Sequence, residues 1–113
     1  MLNYNIYLQN ILNAINKIER DCKNKEILND ENIWDMTLMR LQVIGENSIM
    51  LPKEIKQKHK EIKWRNIRNL RNIISHKYDI IDKDLIWKFI EKKMPELKEA
   101  IKQIKQDLEK KDK

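Results

Sequence analysis

One glycine and two prolines in 113 residues leave this chain almost without corners. Hairpins close on Asn-Gly, Asp-Gly or glycine-containing pairs, and an all-β fold needs many of them, so the shortage argues against that class. Lysine, glutamate and leucine are abundant instead, and all three suit helices. The absence of a glycine-rich stretch also removes the P-loop and the dinucleotide fingerprint, because both need backbone to approach phosphate closely. An ATPase or a nicotinamide enzyme is therefore disfavoured. The length has room for one domain, residues 1–113, with one core.

Apolar spacing lays that domain out as helices. Tyr4, Tyr7/Leu8, Ile11, Ile15, Ile18 and Cys22 follow steps of three and four, one stripe on a first helix. The polar run from Lys23 to Glu31 reads as a connection, ending in Asp30 as a candidate cap for a second helix. That helix carries Ile33/Trp34, Thr37/Leu38, Leu41, Ile44 and Ser48 on its stripe, with Gly45 inside it. A glycine there costs about 1 kcal/mol relative to alanine, which points to a close helix–helix approach. Pro52 restarts the chain into a short basic helix to about Lys58. A third long helix runs from about Ile62 to Ser75 with Trp64, Ile67, Leu70 and Ile73/Ile74 inward, and Asp82 caps the segment that follows. Pro95 is expected to interrupt again before a last helix bearing Leu97, Ile101, Ile104 and Leu108. Residues 109–113 read as a solvated, fraying tail. The expected fold class is all-α, a bundle of four to five main helices.

The formal charge of +6 is unevenly spread. Lys53 to Lys77 hold nine Lys or Arg against two acids, Glu54 and Glu61, a net of +7, so the rest of the chain is nearly neutral. A surface of that kind suits a polyanion, either nucleic acid or acidic protein, or is equally a lysine-rich solvated face. Cys22 is the single cysteine, which excludes an internal disulfide and favours a reducing, cytoplasmic setting. The N-terminus lacks the basic and apolar regions of a signal peptide, and no apolar run is long enough to span a bilayer. Two histidines without a paired spacing make a dedicated zinc site improbable, so the expectation is no metal and no cofactor.

The segment from Trp64 to Tyr78 concentrates what chemistry the chain has. It carries three of the five arginines, Arg65, Arg68 and Arg71, and one of the two histidines, His76. Arginine presents a planar donor fork to phosphate, whereas histidine accepts and returns protons near neutrality. Metal-free RNA cleavage asks for those parts: a base for the ribose 2′-hydroxyl, a cation for the phosphoryl charge and an acid for the leaving 5′-oxygen. His76 is the candidate base or acid, Arg71 the clamp and Asn72 an orienting group. Arg65, Arg68 and Lys77 are candidates for holding RNA. Asn72 and His76 share a helix face, but Arg71 and His76 are about 140° apart on an ideal helix. Either the arginine wraps round the helix or, as that angle favours, a second copy completes the site across a two-fold axis. His76 near a helix end could equally cap carbonyls, and His59, between two lysines, reads as a solvated surface residue. A helix-turn-helix DNA binder is disfavoured, because the basic helix lacks a preceding short helix with a glycine-containing tight turn.

At this segment the sequence resembles a known family. Arg71-Asn-Ile-Ile-Ser-His76-Lys-Tyr78 looks like the Arg-x-x-x-x-His-x-Tyr signature of HepT-like toxins in the HEPN superfamily. Met39-Arg40-Leu41-Gln42-Val43-Ile44-Gly45-Glu46 is similar to that family's arginine-to-Ile-Gly-Glu stretch. Trp64-Arg65-Asn66-Ile67 with Leu70-Arg71-Asn72 resembles its Trp-Arg-x-Ile and Leu-Arg-Asn elements. Trp87 with Met94-Pro95-Glu96-Leu97 resembles its closing segment, and Tyr7-Leu8-x-x-Ile11-Leu12 its opening. Asn69 stands where the family commonly has glycine, and Asn10 where it often has an acid. The resemblance implies a homodimeric, metal-independent endoribonuclease, the toxin of a two-gene toxin–antitoxin system. It also implies that Arg71 and His76 are catalytic, with Asn72 supporting. The implied partner is an MNT-type nucleotidyltransferase antitoxin that can transfer AMP from ATP onto the signature tyrosine, here Tyr78. A non-catalytic helical dimer that binds that partner or nucleic acid is the alternative.

Overall fold

The computed structural model describes residues 4–76 and 81–111, the side chains of Ser75, His76 and Lys111 excepted. Every regular element among them is helical: α1 (Asn5–Asp21), a 3₁₀ turn (Lys25–Asn29), α2 (Glu31–Ile49), α3 (Lys53–Gln57), α4 (Trp64–His76), α5 (Lys83–Lys88), a π-helical turn (Phe89–Lys93) and α6 (Met94–Lys111). The all-α bundle expected from spacing is the fold. Leu8, Ile11, Ile15 and Ile18 of α1 bury fully against Leu38, Leu41 and Ile44 of α2 and Leu97, Ile101 and Ile104 of α6. Polar ties fix the directions. Asn10 donates to Asn47 at 3.0 Å and Arg40 reaches Asp21 at 2.5 Å, so α1 and α2 run antiparallel. Lys98 to Glu19 at 2.7 Å and Lys105 to Gln9 at 2.6 Å do the same for α1 and α6. The helices therefore pack in the order α4, α2, α1, α6.

Two caps appear where the sequence places them. Asp30 accepts from the Ile33 amide at 3.0 Å and Asp82 from the Asp84 amide at 2.8 Å, each satisfying an orphan N–H of a first turn. The run from Lys23 to Glu31, expected to be a plain connection, instead forms the 3₁₀ turn. Asn24 caps that turn through the Ile27 amide, and Leu28 is driven fully into the core. Lys25 pairs with Asp84, and Lys83 lies over the Trp34 ring at 5.6 Å, pinning the start of α5 to this corner.

Pro95 does not interrupt the chain. The α5, π and α6 segments, of 6, 5 and 18 residues, form one continuous helix. Proline clashes with the carbonyl four residues back and offers it no donor. Here the turn before Pro95 widens, and the Met94 amide bonds the Phe89 carbonyl five residues back. The widening lets Ile90, Met94 and Leu97 stay on the core face across the proline. At 1.5 Å per residue this helix is about 43 Å long, which accounts for the 46 Å long axis of the molecule. Glu109 and Lys110, read from sequence as tail, are helical and exposed.

Candidate active site

The amphipathic pattern of α4 turns Ile67, Leu70 and Ile74 into the core and leaves Arg65, Arg68, Asn69, Arg71 and Asn72 exposed. On an ideal helix Arg65, Asn69, Asn72 and His76 fall within about 60° of one another. Arg71 stands well round the helix from them, on the side facing α2. Its place there depends on the single glycine. A Cβ built on Gly45 would lie 3.0 Å from the Arg71 Cβ, 3.1 Å from the Ile67 carbonyl oxygen and 3.2 Å from the Arg71 amide nitrogen. Any side chain at position 45 would push α4 away, so the close approach expected from sequence is observed. It is made by the candidate catalytic arginine itself.

That contact sets Arg71 beside the next residue of α2. Arg71 Nε lies 3.9 Å from Glu46 Oε1, with both side chains about half exposed. Gln42 Nε2 donates to the same carboxylate oxygen at 3.3 Å. A carboxylate on the Nε side leaves the outer guanidinium nitrogens as a fork available to phosphate. On the neighbouring α3, burial and, less, the Arg68 charge hold the Lys56 ammonium below its usual range.

Of the residues singled out from sequence, Arg65, Arg68, Arg71 and Asn72 are all exposed on α4, with Arg71 turned toward α2. His76 is the last residue of the same helix, and only its backbone position is described. Lys77 and Tyr78 lie outside the described residues. His59 departs from expectation: it is not solvated but packed, with a side chain only 13 % exposed and Nδ1 3.6 Å from Glu61. A short helix, α3, does precede the basic helix. It is tied to α4 by Trp64 Nε1, which donates to the Lys56 and His59 carbonyls at 3.2 and 3.1 Å. The connection between the two contains no glycine.

From sequence Glu46 stands only as part of the Ile-Gly-Glu motif, with no role beside Arg71. Its signal was adjacency to the one in-helix glycine, since the residue next to a close approach meets the opposing helix. No group of three or more His, Cys, Asp or Glu able to hold a metal gathers among the described residues, and no helix among them is long and apolar enough to cross a membrane. A cleft of about 250 Å³ lies elsewhere, lined by Tyr4, Ile55, His59, Ile104 and Leu108 among others, and touches none of the α4 arginines.

The chain is similar to known proteins. The family model described as ribonuclease HepT-like matches residues 8–104, from α1 to α6. A protein of Methanocaldococcus jannaschii named "gamma-glutamylcyclotransferase and putative RNase" is 34 % identical over 93 % of this chain, which spans 49 % of that relative's length. A Thermococcus cleftensis protein named "probable ribonuclease HepT" is 33 % identical over 81 % of this chain and 86 % of its own. No solved structure gives a significant match. With the model running through all four packed helices and across the Arg71–His76 segment, the chain belongs to the ribonuclease HepT-like family.

Proposed function

We propose that this protein is a metal-independent endoribonuclease, the toxin of a two-gene toxin–antitoxin system acting in the cytoplasm. The observation that carries the reading is Arg71. Its backbone is seated on Gly45, and its guanidinium is half exposed beside Glu46, five positions before His76 on one helix. The ribonuclease names of the relatives support the same substrate class.

In this mechanism a histidine base takes the proton of a ribose 2′-hydroxyl. The freed oxygen attacks the adjacent phosphorus and the P–O5′ bond breaks, leaving a 2′,3′-cyclic phosphate. An acid gives a proton to the departing 5′-oxygen. Arg71 stabilises the charge on the non-bridging oxygens, Asn72 orients, and Arg65, Arg68 and Lys77 hold the flanking strand. One helix cannot aim Arg71 and His76 at the same phosphate, so His76 of one copy works with Arg71 of another. The antitoxin is a nucleotidyltransferase of the MNT type. It joins the AMP of ATP to the Tyr78 hydroxyl, releasing pyrophosphate, and the added phosphate occupies the site and repels RNA.

The test is RNA cleavage in excess chelator by the wild type and His76→Ala, with intact mass confirming an unmodified Tyr78. Cleavage by the wild type alone is expected. Equal cleavage by both, or a need for a divalent metal, overturns the mechanism. If neither cuts, the protein is a binding module for its partner or for nucleic acid.

A further inference from the structure

The cleft of about 250 Å³ lies where three elements meet: Tyr4 before α1, the end of α3 with the two residues after it, and the last turns of α6. Ile104 is buried on its lining, with Ile55 and Leu108 partly covered, so the interior is apolar. Lys58, Asp107 and Lys110 line it too and are exposed, which puts the charges at the mouth. The His59 side chain is only 13 % exposed, and its Nδ1 lies 3.6 Å from Glu61. That leaves Nε2 as the ring atom a ligand can meet. This wall is held in place, because the His59 carbonyl accepts from Trp64 Nε1 at 3.1 Å. None of these side chains has a part in the proposed cleavage.

We propose that this cleft is a nucleotide site, with a guanine base in the apolar interior and its phosphate at the mouth on Lys58 and Lys110. Size, charge and position select that class. At about 30 Å³ per water the space equals roughly eight waters, room for a nucleobase with sugar and phosphate left toward the mouth. Tyr4 is the aromatic of the lining, and bases stack on such side chains. Two lysines suit a phosphate, but the carboxylate beside them disfavours a plain apolar acid. An ionised carboxylate only accepts, so Asp107 asks for a ligand with N–H donors, which a base edge supplies. Guanine presents adjacent donors, N1–H and the N2 amino group, whereas adenine and cytosine set one amino group beside an acceptor. Asp107 accepts from Gln103 Nε2 at 3.0 Å through one oxygen and keeps its other for the base. Position agrees, since Lys58 and His59 belong to the +7 window that continues into α4. The nucleotide is either free in solution or one unit of a strand lying along α4. The second source rests on the ribonuclease reading; the first does not.

Titration calorimetry of the full chain with GMP, AMP and indole-3-acetate tests the cleft without cleavage. GMP is expected to bind the wild type, AMP more weakly and the apolar acid weakest. Leu108→Trp fills the interior and is expected to abolish GMP binding with helical circular dichroism intact. Lys58→Gln with Lys110→Gln leaves the interior alone and is expected to weaken GMP about tenfold, through the loss of its charge-assisted contacts. Lys102→Gln with Lys105→Gln changes the net charge equally and is expected to leave GMP binding in place. The second arm uses chemically blocked oligouridine carrying one guanosine or one adenosine. If the strand is the source, the guanosine form binds more tightly and Leu108→Trp removes the difference. If the free nucleotide is the source, the two strands bind alike and GMP alone depends on Leu108. The proposal is overturned if neither GMP nor the guanosine strand loses affinity in these folded cleft variants, or if AMP or indole-3-acetate is held as tightly as GMP. A protein that passes but leaves RNA intact sinks the ribonuclease reading and spares the cleft. One that cuts RNA with no dependence on Leu108 or the two lysines in either arm loses the cleft alone.

Discussion

Gly45 joins stability to chemistry at a single Cβ. Alanine there gains about 1 kcal/mol of helix propensity, but its methyl meets Arg71 and Ile67 backbone at 3.0–3.2 Å, and small-to-large changes at packed contacts cost about 1–3 kcal/mol. Gly45→Ala is therefore expected to lower unfolding free energy in urea by about 1 kcal/mol net. It is expected to lower RNA cleavage by more than the folded fraction explains, because the displaced helix carries Arg71; an unchanged rate would show that Arg71 need not sit on α2. Asp21 gives a second expectation at this scale. Hydrogen bonds from Arg20 at 2.9 Å and from Arg40 at 2.5 Å hold its carboxyl well below the usual carboxylate range. A lowered folded value contributes stability above the unfolded value, about pH 4, and loses it as the solution is acidified below that point. The melting temperature should fall below about pH 4, and Asp21→Asn should flatten that part of the profile. A profile identical in the two proteins would exclude the pair as an acid-sensitive element.

At the scale of elements, Asp30→Ala removes the cap of the helix that carries Gly45 and Glu46. Such a loss is expected to cost about 1 kcal/mol by chemical denaturation, with little effect on cleavage at temperatures where the protein stays folded. The main helices and both aspartate caps were legible because each rests on local chemistry: a repeat of three and four, or a short acceptor side chain before a first turn. The exceptions have physical causes. Leu28 is one apolar residue in a polar run, so no period announces that it enters the core. Pro95 breaks an α-ladder, but a π-turn moves the bond to the fifth residue and spares the helix, which depends on the register that α1 imposes. The site shows the same division. The exposed arginines of α4 could be read from its pattern, whereas the pairing of Arg71 with Glu46 needs the α2–α4 crossing. Met36, Met39 and Met50 of α2 have a helical spacing too, yet they are exposed: apolar periodicity alone does not say which of two faces is buried.

For the whole molecule the argument concerns charge. The +7 window runs through α3, the connection after it and α4, which carries three arginines on the outer helix of an elongated bundle, so RNA is expected to track α4. Each phosphate neutralised on a single strand contributes about −0.7 to the slope of log affinity against log salt. Arg65 and Arg68 are exposed. Arg65→Gln with Arg68→Gln is therefore expected to leave the melting temperature in place, weaken RNA binding across sequences and make the slope shallower by about 1.4. Fluorescence anisotropy with a chemically blocked oligonucleotide between low and physiological salt reads both quantities. Removing two lysines from α6, the other outer helix of the packing order, with Lys102→Gln and Lys105→Gln, changes the net charge equally. If binding depended on total charge, the two double variants would shift the slope alike. If it follows the α4 surface, only the arginine pair will.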